Sequence, residues 1–210
     1  MIKALVLDFG NVISEPHDET VYGRMAALSG LPAAYFQLAC WKYRDEFDAG
    51  TIGGKEMYRR VLADANAPGS ESELDALAGK LILEDIGSWT LVNPGVTEWA
   101  LKLQAEGYLL GILSNMPHDF LEIAGHAVEL FGKADVPVYS CRVGAIKPEP
   151  AIYRVLIERL GCEPEEIVFF DDLERNVAAA RALGIKAFLF TDLAGAKRDW
   201  ETACAEALRG

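Results

Sequence analysis

The sequence predicts an α/β fold in which a parallel, five-stranded sheet is interrupted after its first strand by a helical segment. Two observations lead to this prediction. Five short apolar runs lie along the chain, and helical patterns lie between the later ones; strands and helices that alternate in this way form a doubly wound parallel sheet. Residues 16–87 break the alternation, because they show helical spacing without a convincing strand.

The first apolar run, Ala4–Leu7, is short and unbroken, and Asp8, Phe9, Gly10 and Asn11 follow it directly. This pattern is typical of a strand that is buried on both faces and ends in a tight loop. The four comparable runs, which we predict to be the other strands, are 108–113, 136–139, 167–170 and 186–190.

Helical patterns between these runs complete the predicted core. Val96, Trp99, Ala100 and Leu103 share one helical face, and Gly107 ends that helix. The other predicted helices of the core are 152–160, 175–183 and, near the end of the chain, 194–208.

Residues 16–87 are predicted to form a cap of about four helices, separated by glycine- and proline-containing breaks at 30–32, 50–54 and 68–70. The chain would then consist of a discontinuous core, residues 1–15 and 88–210, and an inserted cap, residues 16–87. One cap helix carries an aromatic stripe, which we interpret as bundle core, with a wall facing a substrate as the alternative. The stripe consists of Tyr35, Phe36, Ala39, Tyr43 and Phe47.

The charge of the chain limits its partners. The 210 residues carry a formal net charge of −12, so no basic surplus is available to neutralise nucleic acid or an anionic membrane. An acidic surface also repels phosphorylated ligands, so any phosphate site must be local and built from a few donors and a cation. We expect a small-molecule partner and a monomer or a homodimer.

Cysteine usage and the N-terminal residues predict a cytoplasmic protein. Cys40, Cys141, Cys162 and Cys204 form no CxxC pair and show no metal-ligand spacing, which indicates reduced thiols. Asp8 comes too early for a secretory signal peptide, and no apolar run approaches the length that spans a membrane.

Polar residues that carry chemistry fall where the predicted strands end. Because parallel strands share a carboxyl edge, residues about 165 apart in sequence can meet in one pocket there. These polar residues are Asp8, the pair Ser114 and Asn115, Lys147 in the loop after the third strand, and the pair Asp171 and Asp172.

This set of residues supports phosphoryl transfer. Three carboxylates at contact distance require a cation or raised pKa values, and oxygen ligands without His or Cys suit Mg²⁺. Ser114 and Asn115 offer donors for an anion, and Lys147 adds a positive charge. Asp8 is then the predicted nucleophile, and an aspartyl-phosphate is the predicted intermediate.

Four segments, in order, resemble the motifs of the haloacid dehalogenase-like (HAD) hydrolase superfamily. The resemblance spans essentially the whole chain, and a helical insertion after the first motif resembles the small four-helix cap of that family. The four segments are LVLDFGNV at 5–12, LGILSN at 110–115, Lys147-Pro148, and VFFDDLERN at 168–176.

The resemblance implies a HAD-like Rossmannoid core and a role for each site residue. Asp8 would attack phosphorus and bind Mg²⁺, together with the backbone carbonyl of Gly10. Asp172 would be the direct carboxylate ligand, with Asp171 either a further ligand or a partner of one. The residues implied to hold the phosphoryl oxygens are Ser114, Asn115 and Lys147.

One position departs from the family pattern. Phosphatases of this family usually carry a second Asp two residues after the nucleophile as general acid and base, and here that position is Gly10. The sequence resembles instead the Asp-x-Gly-Asn subgroup, which includes sugar-phosphate phosphatases. Either the leaving group needs little protonation, or Glu15, His17 or Asp18 supplies the proton.

Two other functions compete with a phosphatase acting on a small phosphorylated metabolite. A 2-haloacid dehalogenase would use Asp8 without a metal and would need a cap arginine, for which Arg44 is available, but the Asp171-Asp172 pair favours a metal. A phosphate-binding or regulatory protein on the same fold would need no catalysis, and the lack of an acid at Gly10 fits that alternative.

Overall fold

The computed structural model describes residues 1–208 and contains a five-stranded parallel sheet between layers of helices, which confirms the predicted fold class. The strand order is β3-β2-β1-β4-β5, and every paired neighbour is parallel. The strands are β1 Ala4–Leu7, β2 Leu109–Ser114, β3 Val136–Tyr139, β4 Ile167–Asp171 and β5 Lys186–Leu189. Each predicted run therefore became a strand, with its ends shifted by at most one residue.

Side chains of the central strand point alternately to the two faces of the sheet, and both faces are buried. Leu5 and Leu7 join one hydrophobic cluster, whereas Ala4 and Val6 join the other. This explains why the strand reads as an unbroken apolar run.

Five helices lie between β1 and β2, and we call residues 21–87 the helical insertion. The four longer ones match the expected number, and a fifth has only five residues. The helices of the insertion are α1 Val21–Ser29, α2 Ala33–Lys42, α3 Arg44–Asp48, α4 Gly54–Asp64 and α5 Glu71–Gly87.

The aromatic stripe of the insertion spans two helices, because the backbone leaves the helical conformation at Tyr43, with φ −112° and ψ 8°. Phe36, Ala39 and Phe47 are buried, and Tyr35 packs against the same cluster. The interpretation of the stripe as bundle core is therefore confirmed.

The remaining helices flank the sheet. Those after β2 include short helices that the sequence pattern did not predict, at 125–127, 129–133 and 140–143. The helices are α6 Pro94–Ala105, α7 His118–Ile123, α8 Glu129–Lys133, α9 Ser140–Val143, α10 Pro150–Leu160, α11 Glu174–Arg181 and α12 Leu193–Ala207, with 3₁₀ turns at Gly125–Ala127 and Pro164–Glu166.

The chain enters and leaves the helical insertion through two segments that lie side by side. Ser14 forms an isolated antiparallel bridge with Val92, and the Glu15 N–H donates to the carbonyl of Leu91 at 2.8 Å. The insertion thus sits on one narrow two-stranded connection at the edge of the sheet where Asp8 lies.

The insertion also contacts the core at a second place. The hydroxyl of Ser140, on α9, donates to the carbonyl of Asp48 at 2.5 Å and accepts from the Met116 N–H at 2.8 Å. The Gly54 N–H donates to Asp119 on α7 at 3.1 Å. A side chain at Gly50 would meet the His118 ring and Cys141 within 3.0 Å, so the backbone approaches α7 and α9 closely there.

All four cysteines are free, and Cys40, Cys141 and Cys162 are buried. Within residues 1–208, no helix combines the length and the apolar character needed to cross a membrane.

Candidate active site

The register of the sheet brings the candidate residues together. Leu7 is paired with Ile112 on β2 and with Phe170 on β4. The three central strands therefore end at nearly the same level, and the residues that follow them project at one edge. These residues were predicted to gather at one edge of the sheet, and the strand order places Asp8 between the segment of Ser114 and that of Asp172.

Asp8 and Lys147 form an ion pair at the base of this edge. The Lys147 ammonium lies 2.8 Å from Asp8 Oδ1 and 2.6 Å from Asp171 Oδ2, and the Lys147 side chain is almost completely buried. Burial, together with the charge of Asp171, raises the pKa of Asp8 to about 7 against the opposing charge of Lys147. Burial alone would lower the pKa of Lys147, but Asp8 and Asp171 hold it above its ordinary value.

Lys147 has one ammonium hydrogen left after these two contacts. It lies in a cavity-lining position beside Asp8, so that hydrogen is available to an oxygen of a bound ligand. The ordering of the lysine by two carboxylates also fixes the direction in which the remaining hydrogen points.

Asn115 holds the loop that carries Lys147. Its amide nitrogen donates to the Lys147 carbonyl at 2.9 Å, and its amide oxygen accepts from the Lys147 N–H at 2.7 Å. The amide nitrogen keeps a second hydrogen for a ligand. This second amide hydrogen is the side-chain donor that remains for the predicted contact of Asn115 with a phosphoryl oxygen.

The two adjacent aspartates have different surroundings. Asp171 is fully buried and does not line the cavity, and its oxygens accept hydrogen bonds from the Lys147 ammonium, the Leu173 N–H and the Asn176 amide. Asp172 lines the cavity and accepts from the Asn11 amide at 2.8 Å. Burial raises the pKa of Asp172, and the Asn11 hydrogen bond opposes this.

The donor set fits Mg²⁺. One carboxylate oxygen from each of Asp8, Asp171 and Asp172 lies within 4.8 Å of the other two. Asn176 also lines the cavity, and its buried side-chain amide oxygen has no hydrogen-bond partner within residues 1–208. An all-oxygen set with excess negative charge and a free acceptor is what a hydrated divalent ion needs.

Ser114 and Gly10 also lie where the sequence places them. Ser114 is buried and lines the cavity, and its hydroxyl makes only a long contact of 3.5 Å to the Asn115 carbonyl, which leaves it available to a ligand. Gly10 lies in the tight turn after Asp8, where Asn11 adopts φ 56°. A β-carbon at Gly10 would lie 3.4 Å from the Trp89 ring, so this indole covers the position.

A cavity of about 420 Å³ opens above these residues, and residues of the helical insertion form its opposite wall. We call Trp41, Arg44, Asp45 and Asp48 the insertion wall. The residues of the core and of the connections that line the cavity are Asp8, Phe9, Gly10, Asn11, Trp89, Ser114, Asn115, Met116, Pro117, Phe120, Lys147, Asp172, Leu173, Arg175 and Asn176.

The structure does not bring the expected proton donors into this cavity. Glu15, His17 and Asp18 are absent from its lining. His17 stacks on Trp89 at 4.3 Å between ring centroids and pairs with the Ser88 hydroxyl, while Asp18 binds Arg24 at the surface. The hypothesis that one of the three protonates the leaving group is therefore not supported.

Sequence reasoning missed several residues that the structure places at the site. Asn11 and Asn176 each hold one of the adjacent aspartates, and Trp89 covers Gly10. The local signal for Asn11 and Asn176 is that both lie within the segments that resemble the first and fourth motifs of the family, whereas no local pattern indicates Trp89.

Proteins of known name resemble this chain in sequence. A curated relative from Thermotoga maritima, named phosphorylated carbohydrates phosphatase, is 32% identical over 199 residues, which are 88% of this chain and 83% of that protein. A bifunctional epoxide hydrolase 2 from Sus scrofa is 27% identical over 95% of this chain, but the chain spans only 38% of its length.

A solved structure and a family profile complete the comparison. A HAD family enzyme from Bacteroides thetaiotaomicron, in complex with magnesium and inorganic phosphate, superposes with a TM-score of 0.70 at 22% identity and covers 91% of this chain and 95% of its own. The profile described as haloacid dehalogenase-like hydrolase matches residues 2–184. The chain belongs to the haloacid dehalogenase-like hydrolase family.

Proposed function

We propose that the protein is a Mg²⁺-dependent phosphomonoester hydrolase that acts on a small phosphorylated metabolite, with Asp8 as the nucleophile. The observation that carries the proposal is the position of Asp8. It lines a cavity of about 420 Å³, 2.8 Å from a buried ammonium and within 4.8 Å of two further carboxylates. A surface acid or a helix cap would need neither the lysine nor the cavity.

Asp8 has one oxygen free for attack. Oδ1 is held by the Lys147 ammonium and by the Phe9 N–H at 2.6 Å, whereas no described hydrogen bond within residues 1–208 uses Oδ2. We assign Oδ2 as the atom that forms the new bond to phosphorus. The bond from phosphorus to the leaving oxygen breaks, and its electron pair leaves with that oxygen.

Water then hydrolyses the aspartyl-phosphate and restores the Asp8 carboxylate, with release of inorganic phosphate. Lys147, through its remaining ammonium hydrogen, and the Ser114 hydroxyl would hold the phosphoryl oxygens in line with Asp8. Because these groups are buried and held by other residues, they lose little freedom when the ligand binds.

Mg²⁺ would supply positive charge that offsets the three carboxylates and the phosphoryl group. Asp8, Asp172 and the Gly10 carbonyl are the residues that we assign to hold it. Asp171 already accepts three hydrogen bonds, so we assign it to orient Lys147 rather than to bind the ion.

The substrate class is proposed from two supports. The relative from Thermotoga maritima is named for phosphorylated carbohydrates and matches most of both chains, which favours a sugar phosphate as the first class to test. Gly10 supplies no proton, which favours a leaving group that is stable as an anion, such as an anomeric sugar oxygen or a carboxylate.

We also propose that residues 16–87 act as a cap that closes over this substrate. Four residues of the helical insertion line the cavity, and Ser140 ties the insertion to the core. The free, mostly buried thiols support a reducing compartment, and on that ground we propose a cytoplasmic location.

The test is phosphate release from a panel of phosphorylated metabolites, with Mg²⁺ and with chelator. We expect turnover that requires Mg²⁺ and falls at least about a thousandfold in Asp8→Asn, because no other group in the site can take over the nucleophile. Glu46→Gln, which changes an exposed acid of the helical insertion that does not line the cavity, is the matched control and should keep the wild-type activity.

Two results would overturn the proposal. Halide release from 2-haloacids in the presence of chelator would make the protein a dehalogenase. Binding of phosphate by calorimetry without turnover of any panel member or of p-nitrophenyl phosphate would make it a binding protein.

A further inference from the structure

We propose that the insertion wall admits leaving groups that carry hydroxyls and no negative charge, and that Asp45 is the residue that rejects anions. This inference rests on the proposed phosphatase function and specifies the leaving group of the substrate, which the proposed function does not define. It depends on how the charges of the insertion wall are paired.

Asp45 is an uncompensated charge at the cavity. Its side chain is exposed, it lines the cavity, and it takes part in none of the ion pairs described for residues 1–208. Because the phosphoryl end of a substrate must lie at Asp8, the leaving group extends toward the insertion wall. A carboxylate or a second phosphate on the leaving group would therefore approach Asp45.

Arg44 does not compensate for Asp45, because it is already shared between two buried acids. Its Nε lies 2.9 Å from Asp48 and its NH1 lies 3.6 Å from Asp85, and both carboxylates have side chains only 10% exposed. Burial alone would lower the pKa of Arg44, but Asp48 and Asp85 hold it above its ordinary value, so the group stays charged. Within the insertion wall two acids, Asp45 and Asp48, outnumber the one arginine, so the wall has an excess of one negative charge, and the buried Asp85 behind it adds a second.

The position of Arg44 is fixed on its other sides as well. The guanidinium lies 5.8 Å from the ring centroid of Trp41 and 5.6 Å from that of Phe47. A guanidinium that is stacked on two rings and paired with two acids cannot turn toward a substrate anion without losing those contacts. The Nη2 atom of Arg44 takes part in no described contact, so it can still donate a hydrogen bond to a ligand.

Asp45 is the acid of the wall that a ligand can reach, because it is exposed and takes part in no described ion pair, whereas Asp48 Oδ1 is buried and lies 2.9 Å from Arg44 Nε. Hydroxyl groups both donate and accept, so they can use Asp45 and the remaining Arg44 donor together. A cationic leaving group would gain from the acids but would meet the Arg44 charge.

Arg175 is the one cavity-lining cation that could favour an anion instead. It is exposed and lies three residues after Asp172 on α11, so its charge belongs to the core side, where the phosphoryl group binds. Its contribution therefore adds to phosphate binding and leaves the charge of the insertion wall unchanged.

The experiment compares two ligands that differ at one carbon. Glycerol 3-phosphate carries a hydroxymethyl group where 3-phosphoglycerate carries a carboxylate. Their inhibition constants are measured against Mg²⁺-dependent hydrolysis of p-nitrophenyl phosphate. We expect glycerol 3-phosphate to bind at least about tenfold more tightly in the wild type. In Asp45→Asn this preference should shrink about fivefold, the effect of one unit charge across a partly solvated cavity.

Glu46→Gln is the matched control, because it removes the same charge from the neighbouring residue, which is exposed and does not line the cavity. It should keep the wild-type preference. Thermal unfolding of each variant checks folding, and Asp45→Ser replaces Asp45→Asn if the latter unfolds.

Equal or tighter binding of 3-phosphoglycerate by the wild type overturns the inference, and so does a change in Glu46→Gln as large as that in Asp45→Asn. Failure of the proposed function looks different, since p-nitrophenyl phosphate would then not be hydrolysed. In that case calorimetric titration of the same two ligands with Mg²⁺ still ranks them and decides the question.

Discussion

The side-chain amide of Asn115 and the backbone of Lys147 exchange two hydrogen bonds, of 2.9 Å and 2.7 Å, across 32 residues of sequence. One residue at the end of β2 thereby holds the loop that delivers the buried ammonium to Asp8. The contact therefore links Asn115, in the proposed phosphate site, to the lysine that pairs with the proposed nucleophile. The Asn115 side chain bonds the Lys147 backbone and makes no described contact with its ammonium group.

Asn115→Ala tests this link. Loss of both hydrogen bonds should destabilise the protein by about 1–3 kcal/mol and should lower kcat by about 10²-fold, since Lys147 is no longer held in place. Gln104→Ala removes hydrogen bonds to Lys133 and Asp135 far from the site and should leave kcat unchanged. Wild-type kcat in Asn115→Ala would show that the loop needs no such support.

Lys147→Met removes the one buried cation beside Asp8 and Asp171. The two carboxylates then repel each other, and the expected loss is about 3–5 kcal/mol in the absence of metal. Mg²⁺ binds the folded site and offsets the same repulsion, so it should raise the melting temperature more in Lys147→Met than in the wild type. Lys3→Met, which breaks a surface ion pair with Glu166, should show the wild-type response to Mg²⁺.

Ser140→Ala removes the hydroxyl that connects the helical insertion to the core. The Met116 N–H and the Asp48 carbonyl would both lose a buried partner, with an expected cost of about 1–3 kcal/mol and a change in KM. In Ser29→Ala the lost hydroxyl contacts only Met25 and Leu31 within the insertion, so KM should not change. Equal KM values in Ser140→Ala and Ser29→Ala would show that the Ser140 contact has no role in substrate binding.

His17 should make stability depend on pH. Burial lowers its pKa below 6.5, so the unfolded chain binds a proton more readily than the folded one, and stability is lost as pH falls through the interval below 6.5. His17→Gln cannot titrate and should show a smaller loss of melting temperature between about pH 7 and pH 5.5. Parallel curves for the two proteins would contradict the assignment.

The absence of a proton donor at Gly10 should appear in the leaving-group dependence of the rate. Across a series of aryl phosphates, kcat/KM should rise steeply as the pKa of the phenol falls, because the enzyme gives the leaving oxygen no proton. Gly10→Asp, at a backbone φ of −62° that accepts any side chain, should flatten this dependence by restoring an acid. A flat dependence in the wild type would indicate another donor.

The sheet and its carboxyl edge were predictable because apolar runs and strand direction are local properties. Asp8, Ser114, Lys147 and Asp172 follow from them, since each lies at or after a strand end. Side-chain direction is harder to predict. Adjacent residues in extended backbone point to opposite sides, so Asp171 and Asp172 face different surroundings. The strand pattern alone does not say which of them faces the cavity, whereas the family resemblance implies Asp172.

Contacts made by the side chains of distant segments were not predictable at all. Asn11 reaches Asp172 across 161 residues, and nothing in the neighbourhood of either residue marks the pair. The insertion wall depends on the rotation of α2 and α3, which is set by packing. Trp41 and Arg44 line the cavity, whereas Tyr43 and Phe47 do not.

The order of strands in the sheet has a consequence for synthesis. β1 is translated before both strands that flank it, since Leu5 pairs with Leu110 on one side and with Val168 on the other. A nascent chain must therefore keep an aggregation-prone apolar strand incompletely paired until β4 has been translated. β1 is paired on both sides only when β4 joins it, and Asp172 directly follows the last residue of β4. The three carboxylates of the site therefore come together when the pairing of β1 is completed.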